Sequence, residues 1–474
     1  MKTNILYILF TLLTSAASAQ MDMSHMGHDT IKKATADTAK KIKPRPGYHI
    51  MNGKEMKNSD MGMMDMDMGD MSMSHAYSRN LPMNRDGSGT GWLPDESPMY
   101  AYMWMPGKWN LMFHGALYPR YTSSNFNNDG KRGQGAKFDA PNWFMGMAQR
   151  KVGTKGLFAF NLMMSLDRLT EGGYGYPLLF QSGETWDGKA LHDRQHPHDI
   201  FSELAVAYTQ SFTKDIDLTG YIGYPGEPAI GPVAFMHRIS AMNNPDATLG
   251  HHWQDATHIT FGVATLGFRY KIAKIEASAF NGHEPDENRF DFDKPVFNSY
   301  SYRLSVAPDK HLALQFSQAQ INGPEALNPA EDIFRTTASI GTQHNFNDDS
   351  YLSNTLVWGH NSVNHHDGHA NASEHSITLE SNLQLKMLAL YGRYEFVQKS
   401  EEELSLIPAT DELYNVNAFT LGINHRLFQQ FKTDFTLGIQ GTVNAIPNGL
   451  STLYGNTPIS GQVYLKISPS RMAP

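Results

Sequence analysis

The residues with the most distinctive chemistry are methionines. Between Ser59 and His75 the chain carries seven of them, Met61, Met63, Met64, Met66, Met68, Met71 and Met73, interleaved with Asp60, Asp65, Asp67 and Asp70 and closed by His75. A shorter string of the same kind precedes it: Met21, Met23, His25, Met26 and His28. Thioether sulfur is a soft, neutral ligand, so clustered methionines with occasional histidines select Cu(I), and by analogy Ag(I), over harder ions. Met-x-Met spacing in a flexible chain lets several sulfurs converge on one ion. The plainer reading is a solubilising linker of biased composition, a role for which an apolar side chain is a poor choice.

Two further strings set imidazoles beside carboxylates. One runs His192-Asp193-Arg194-Gln195-His196-Pro197-His198-Asp199; the other runs His251-His252-Trp253-Gln254-Asp255, with His237 and His258 flanking it. Imidazole nitrogens, with Asp193, Asp199 or Asp255 as ligands or as partners that orient the ligands, suit Cu(II), Zn(II) or a similar ion. The set expected to converge is His192, His196, His198, His251 and His252. The competing reading makes these residues scaffold that hydrogen-bonds folded-in loops to a wall, a role that Arg194, Arg238 and Glu203 would share. A third set, His360, His365, His366, His369 and His375, reads as an exposed loop with incidental metal affinity. Other apparent motifs fail. His283-Glu284 has no second histidine at the spacing a zincin helix needs, and Pro285 breaks such a helix. Asn125 to Gly130 resembles the start of a calcium loop, but the closing acidic position is Ala136. No serine, histidine and acid set has an interpretable spacing.

These residues must be positioned by what the rest of the chain builds. Residues 1–19, with Lys2, an apolar run from Ile5 to Leu13, and Ala17-Ser18-Ala19, read as a signal peptide cleaved after Ala19. The run is about half of the ~20 apolar residues a membrane-spanning helix needs. There is no cysteine, which excludes a lipidated cysteine, a disulfide and a thiolate metal site. A mean hydropathy of -0.44 excludes a helical membrane protein, and a net charge of -8 argues against nucleic acid as a partner. Residues 20–106 show neither a period-2 nor a period-3.6 apolar pattern. The expectation there is a mostly disordered tail, with its end from Pro94 to Trp109 ordered against the body that follows.

From Trp109 onward the pattern turns to period 2. Strand-like segments fall near 109–121, 142–151, 156–167, 200–213, 215–224, 257–270, 272–281 and 298–307. A second half follows near 311–320, 333–346, 351–361, 374–385, 387–399, 413–427, 432–443 and 460–468. Short links such as 152–155, Lys214, Lys271 and Lys386 alternate with long ones such as 122–141, 168–199, 225–256 and 400–412. Sorted loop lengths and an even strand count describe a transmembrane antiparallel β-barrel of about sixteen strands, spanning 107–474. A sandwich has no reason to sort its loops this way. The alternation also predicts faces: Leu383, Leu385, Leu390 and Phe396 toward lipid, Glu380, Arg393 and Glu395 inside. After the last strand the chain continues from Pro469 to Pro474 with no terminal aromatic residue, which departs from the usual barrel pattern.

Signal peptide, Met/His/Asp-rich segment and barrel together resemble the exported copper-resistance outer-membrane proteins of the copper-resistance protein B type. The resemblance rests on residues 1–75 and on architecture. The body also resembles largely uncharacterised outer-membrane proteins associated with heavy-metal efflux genes, in which strings like 192–199 and 251–255 occur. The resemblance implies a barrel in a bacterial outer membrane that handles copper ion, with no covalently bound cofactor and the tail in the periplasm. Its expected partners are outer-membrane lipid, metal ions and metal-efflux components. The rival expectations are a general porin with an incidental tail and an outer-membrane hydrolase.

Overall fold

The computed structural model describes residues 48–51, 54–57, 73–365, 371–406 and 412–472. The chain divides into two units, 1–72 and 73–474. In the first, Tyr48–Met51 pairs antiparallel with Lys54–Lys57. Everything below concerns the second.

Sixteen antiparallel strands close a transmembrane barrel, each hydrogen-bonded to its neighbours in chain order. The last strand, Ile459–Pro469, returns to the first and pairs with its Arg120–Ser124 half. The first two strands are each broken by a proline, which has no N–H to give to the ladder. Asn110–Leu117 gives way to Arg120–Ser124 around Pro119, and Gly135–Asp139 to Asn142–Val152 around Pro141. The two breaks lie side by side, because Leu117 pairs with Asn142 and Arg120 with Asp139. The ladder survives through the carbonyls that proline keeps: Tyr118 N–H donates to Pro141 O and Leu465 N–H to Pro119 O, both at 2.9 Å. A short strand, Tyr102–Trp104, pairs with Leu111–Phe113 beside the seam.

The faces follow the period-2 pattern. Ile377, Leu379, Leu385 and Leu390 are exposed while Glu380, Asn382, Arg393 and Glu395 are buried. The strand Val263–Tyr270 alternates without a fault, with Leu266, Phe268 and Tyr270 outward and Thr265 and Arg269 inward. An apolar exterior around a polar, filled interior is the transmembrane arrangement. No helix among the described residues is long and apolar enough to cross a membrane.

One end of the barrel carries tight turns, several with a left-handed residue such as Lys271, Lys386 or Phe431. The other end carries the long links, and two of these turn inward. The link after Gly156–Met164 enters as the hairpin Tyr176–Trp186 with Lys189–Gln195, which pairs only with itself. The link after Ile216–Gly223 runs on to Gly262, so the next strand starts at Val263 and not near residue 257, because Ala256–His258 forms a 3-10 turn inside the lumen. Its Arg238 binds the inward-facing Glu380 at 2.8 and 2.9 Å, and its Leu249 N–H donates to Glu395 at 2.6 Å. Its Asp246 bonds Arg120 of the first strand and Gln462 of the last, each at 2.7 Å, and so sits across the seam.

From the turn end the lumen is filled by residues 73–101, which the sequence assigns to the tail. Tyr77, Arg85 and Trp92 are buried there. Ser78 donates to Asp217, Asn161 donates to the Tyr77 hydroxyl and Arg303 donates to Thr90, at 2.6 to 2.8 Å. This segment lacks apolar periodicity because it lies on the largely polar inner faces of strands: hydrogen bonds hold it together with scattered apolar contacts of Ala76, Tyr77, Met83 and Met99. Between the plug, the inner loops and the wall lie cavities of about 30, 30 and 90 Å³. A water molecule occupies about 30 Å³ of liquid, so each of these is a space for one or a few waters.

Candidate metal centre in the lumen

Two loop segments from different hairpins build the site. The first is the stretch after Gln195, where His196-Pro197-His198-Asp199 leads into the strand Phe201–Thr213. The second is a single helical turn, His251–Gln254, followed by Ala256–His258. That turn is bolted to the wall: Asn361 donates to His252 O at 3.1 Å, Trp253 Nε1–H donates to Glu374 at 3.1 Å, and Lys399 Nζ lies 4.2 Å above the Trp253 ring. Opposite it, Gly183 of the first loop presses its backbone against the His252 imidazole. At φ +108° a Cβ there would fall 2.6 Å from the ring.

The result is a cluster of five imidazoles. Ring centroids are 5.2 Å apart for His251 and His252, 5.1 Å for His251 and His258, and 5.5 Å for His198 and His258. His196 lies 6.3 Å from His251, 6.4 Å from His252 and 5.8 Å from His198. One donor atom each from His196, His251 and His252 lies within 4.8 Å of the others, and Glu184, His252 and Glu284 form a second such set. His252 is common to both. Three nitrogens about 2.0–2.1 Å from a tetrahedral ion stand ~3.4 Å apart, so side-chain rotation of roughly 1 Å closes the first set.

The outer partners fix which nitrogen faces inward. His258 Nδ1 lies 2.8 Å from the carbonyl of Asp255, and a carbonyl only accepts, so Nδ1 carries the proton and Nε2 keeps its lone pair. His251 Nδ1 and His198 Nδ1 lie 2.7 Å from Asp255 Oδ1 and Asp167 Oδ2, the carboxylate pairing that orients ligand histidines. The Nε2 atoms of His198, His252 and His258 are buried without a hydrogen-bond partner. His196 Nε2 is 3.2 Å from Glu184 Oε1, and His252 Nδ1 is 3.2 Å from Glu284 Oε1.

Burial sets the protonation. It takes His196 well below the usual histidine range, His252 down to about 4 and His258 down to about 3. For His251 burial outweighs the hydrogen bond to Asp255 and the shift is again downward. Neutral imidazole, the ligating form, is therefore the form this pocket holds at neutral pH. Burial also raises Glu184, and it raises Glu284 to about 7. For Asp255 burial acts upward, but the His251 hydrogen bond and the charge of Arg238 outweigh it and keep it ionised. A pocket of neutral nitrogens with carboxylates at its edge matches a borderline transition-metal cation.

Of the residues expected to converge, His196, His251 and His252 do, and His198 joins them through Asp167 and His258. His192 does not: it is exposed, 3.2 Å from Ser405 Oγ on the outer side of its hairpin. The strand is irregular on both sides of His192, with Asp193 at φ +57°, and this turns His192 outward while Leu191 and Asp193 are buried. Arg238 and Glu203 do serve as scaffold, and Arg194 holds the carbonyls of Tyr174 and Gly175. Glu184, Glu284 and Gly183 are contributors that the sequence did not disclose. Glu284 stands in the string His283-Glu284-Pro285, but its place beside His252 depends on how three loops fold together.

Met73 begins the plug and packs against the apolar cluster that the plug shares with the wall, and His75 is buried, with Nδ1 accepting from Tyr77 N–H at 2.9 Å. Met21, Met23, His25, Met26, His28, Met61, Met63, Met64, Met66, Met68 and Met71 lie outside the described residues, as do His366 and His369. His360 and His375 stack at 4.6 Å on neighbouring strands, with His360 Nε2 2.9 Å from Ser373 Oγ.

No protein family and no curated protein sequence matches this chain. Among solved structures, the chain is similar to OmpT, an outer membrane protein of Vibrio cholerae, at 8% identity and a TM-score of 0.45, over 78% of this chain and 100% of that one. It is similar to an anion-selective porin from Comamonas acidovorans at 10% identity and 0.44, over 76% and 99%. It is similar to Salmonella typhi OmpF at 10% and 0.46, over 77% and 100%.

Proposed function

We propose that this chain is an outer-membrane barrel that binds and hands on a transition-metal cation, copper foremost. The observation that carries the reading is the convergence of His196, His251 and His252 from two separate inner loops, with neighbouring carboxylates holding the imidazoles in ligating form. On this reading the methionine-rich tail, with Met61 to Met71 at its centre, hangs in the periplasm and captures the ion, supplied there by metal-efflux components. The resemblance to copper-resistance proteins of the B type supports the same direction. The filled lumen speaks against a general porin, whose interior is a water-filled passage. The Nε2 atoms of His198, His252 and His258 have no serine hydroxyl within hydrogen-bonding reach, which a base activating a nucleophile would need.

The test is Cu(II) binding by the full-length protein in detergent, read by electron paramagnetic resonance. Nitrogen hyperfine structure is expected, and it should vanish in His196→Ala/His252→Ala. The same signal from a correctly folded double variant would overturn the reading.

A further inference from the structure

The largest of the three cavities, about 90 Å³, is lined by methionine to a degree that packing alone does not require. Met99 comes from the plug, Met112 and Met147 from the wall, and Met236 and Met242 from the second inner loop, with His114 and His237 between them. Met112 and Met147 are direct cross-strand partners, and Met112 and His114 share the inward face of one strand. Met236 and His237 are consecutive on the turn Phe235–His237. The His114 and His237 rings are 5.6 Å apart, and both lie against Trp143, at 5.3 and 4.6 Å. His114 Nε2 is buried and has no hydrogen-bond partner.

We propose that this cavity is a second cation site, softer than the histidine cluster, that takes a monovalent d¹⁰ ion such as Cu(I) or Ag(I). Methionine is often a filler of irregular cores, but filler closes space, whereas these side chains surround it. An unpartnered ring nitrogen is costly to bury unless something takes its lone pair. Thioether and imidazole are neutral donors that favour soft ions. The two ionisable groups at the rim, Asp86 and Lys466, are each engaged by hydrogen-bond partners of their own. Asp86 accepts from Ala76 N–H, and Lys466 donates to Met242 O and Asn243 Oδ1. A low-charge cavity suits a monovalent ion better than a divalent one. Phe235, on the same turn as Met236 and His237, lies 6.0 Å from the His251 ring, so the cavity lies beside the histidine cluster. The site extends the metal-handling reading, but it stands on different residues.

The experiment uses the full-length protein and Ag(I), which changes no oxidation state, and reads tryptophan fluorescence. The signal is the part of the Ag(I)-induced change that Trp143→Phe removes, which separates this cavity from the tail methionines. That component is expected in the parent protein and in His196→Ala/His252→Ala. It should shift to roughly tenfold or higher Ag(I) concentration in Met236→Leu/Met242→Leu, which keeps the apolar volume, and in His237→Gln. A component absent from the folded parent, or unmoved in both sets of variants, overturns the proposal. Loss of the Cu(II) nitrogen signal in the histidine-cluster variant with this component intact leaves the two readings separately judged.

Discussion

Replacing Arg238 with methionine should release the second inner loop while leaving the barrel standing. The Arg238 guanidinium is almost wholly buried and makes two bonds to Glu380 on the wall, one to Asp255 Oδ2 at 3.0 Å and one to the carbonyl of Val233 at 2.9 Å. Methionine keeps most of the bulk but leaves Asp255 without its arginine and Glu380 with only Arg393 as a cation, at 3.3 Å. Removing one partner of a buried ion pair costs about 3–5 kcal/mol. The ladder of sixteen strands does not pass through Arg238, so the cost falls on the docking of the loop. At about 1.4 kcal/mol per factor of ten, the open population of this loop rises by roughly two to three and a half orders of magnitude. Asp255 holds His251, so Cu(II) affinity should fall in step. Hydrogen exchange of amides between residues 233 and 258, with limited proteolysis, measures the opening, and altered migration on heating verifies the barrel. Arg238→Lys, which keeps the charge and loses the paired geometry, should fall between parent and methionine variant. Parental exchange and affinity in Arg238→Met would refute the reasoning, because the loop would then be held by something other than this cation.

Gly183→Ala should strain the loop at φ +108°, displace the His252 ring and weaken Cu(II) binding by roughly ten- to a hundredfold without preventing barrel closure, since the atoms nearest the new Cβ all belong to that imidazole. A peptide of residues 59–72 should bind Cu(I) tightly and Zn(II) weakly, and should lose Cu(I) when its methionines become leucines; unchanged affinity would exclude sulfur as the ligand. Leu266→Arg, in the middle of a lipid-facing strand, should cost about 2–4 kcal/mol in urea titrations of the protein in vesicles, whereas a barrel surrounded by water would tolerate it. Burial raises Asp86 in the plug from 3.8 to about 8, so the folded plug prefers the protonated acid. The penalty for ionising it is absent below pH 3.8, builds as pH rises and is complete above about 8. Exchange of amides 76–92 should therefore quicken across that interval, and Asp86→Asn should remove this dependence.

The barrel was legible because lipid outside and polar interior impose a two-residue period on every strand. Leu379 and Glu380, or Leu390 and Arg393, take their sides from that rule alone. Link lengths then sorted the two ends. What lay inside was less legible for a related reason. A plug segment such as 74–97 needs no continuous apolar face, since it lies on the largely polar sides of strands, and so in sequence it looks like solvated chain. The histidines stood out by type and spacing, but which of them meet depends on bends the sequence does not announce. His192 and His196 are four residues apart in one string, and the end of the hairpin between them sends them to opposite sides. Glu184 and Glu284, a hundred positions apart, gave no sign of a common neighbour.

Asp246 ties the seam of the barrel to the filling of its lumen. Its carboxylate receives Arg120 from the first strand and Gln440 and Gln462 from the last two, partners as far as 216 positions away in the chain. The seam thus has two fastenings: the backbone ladder between first and last strands, and a clasp from inside that exists only while the loop is docked. The loop that carries three of the five imidazoles is therefore also a brace for the place where the sheet meets itself.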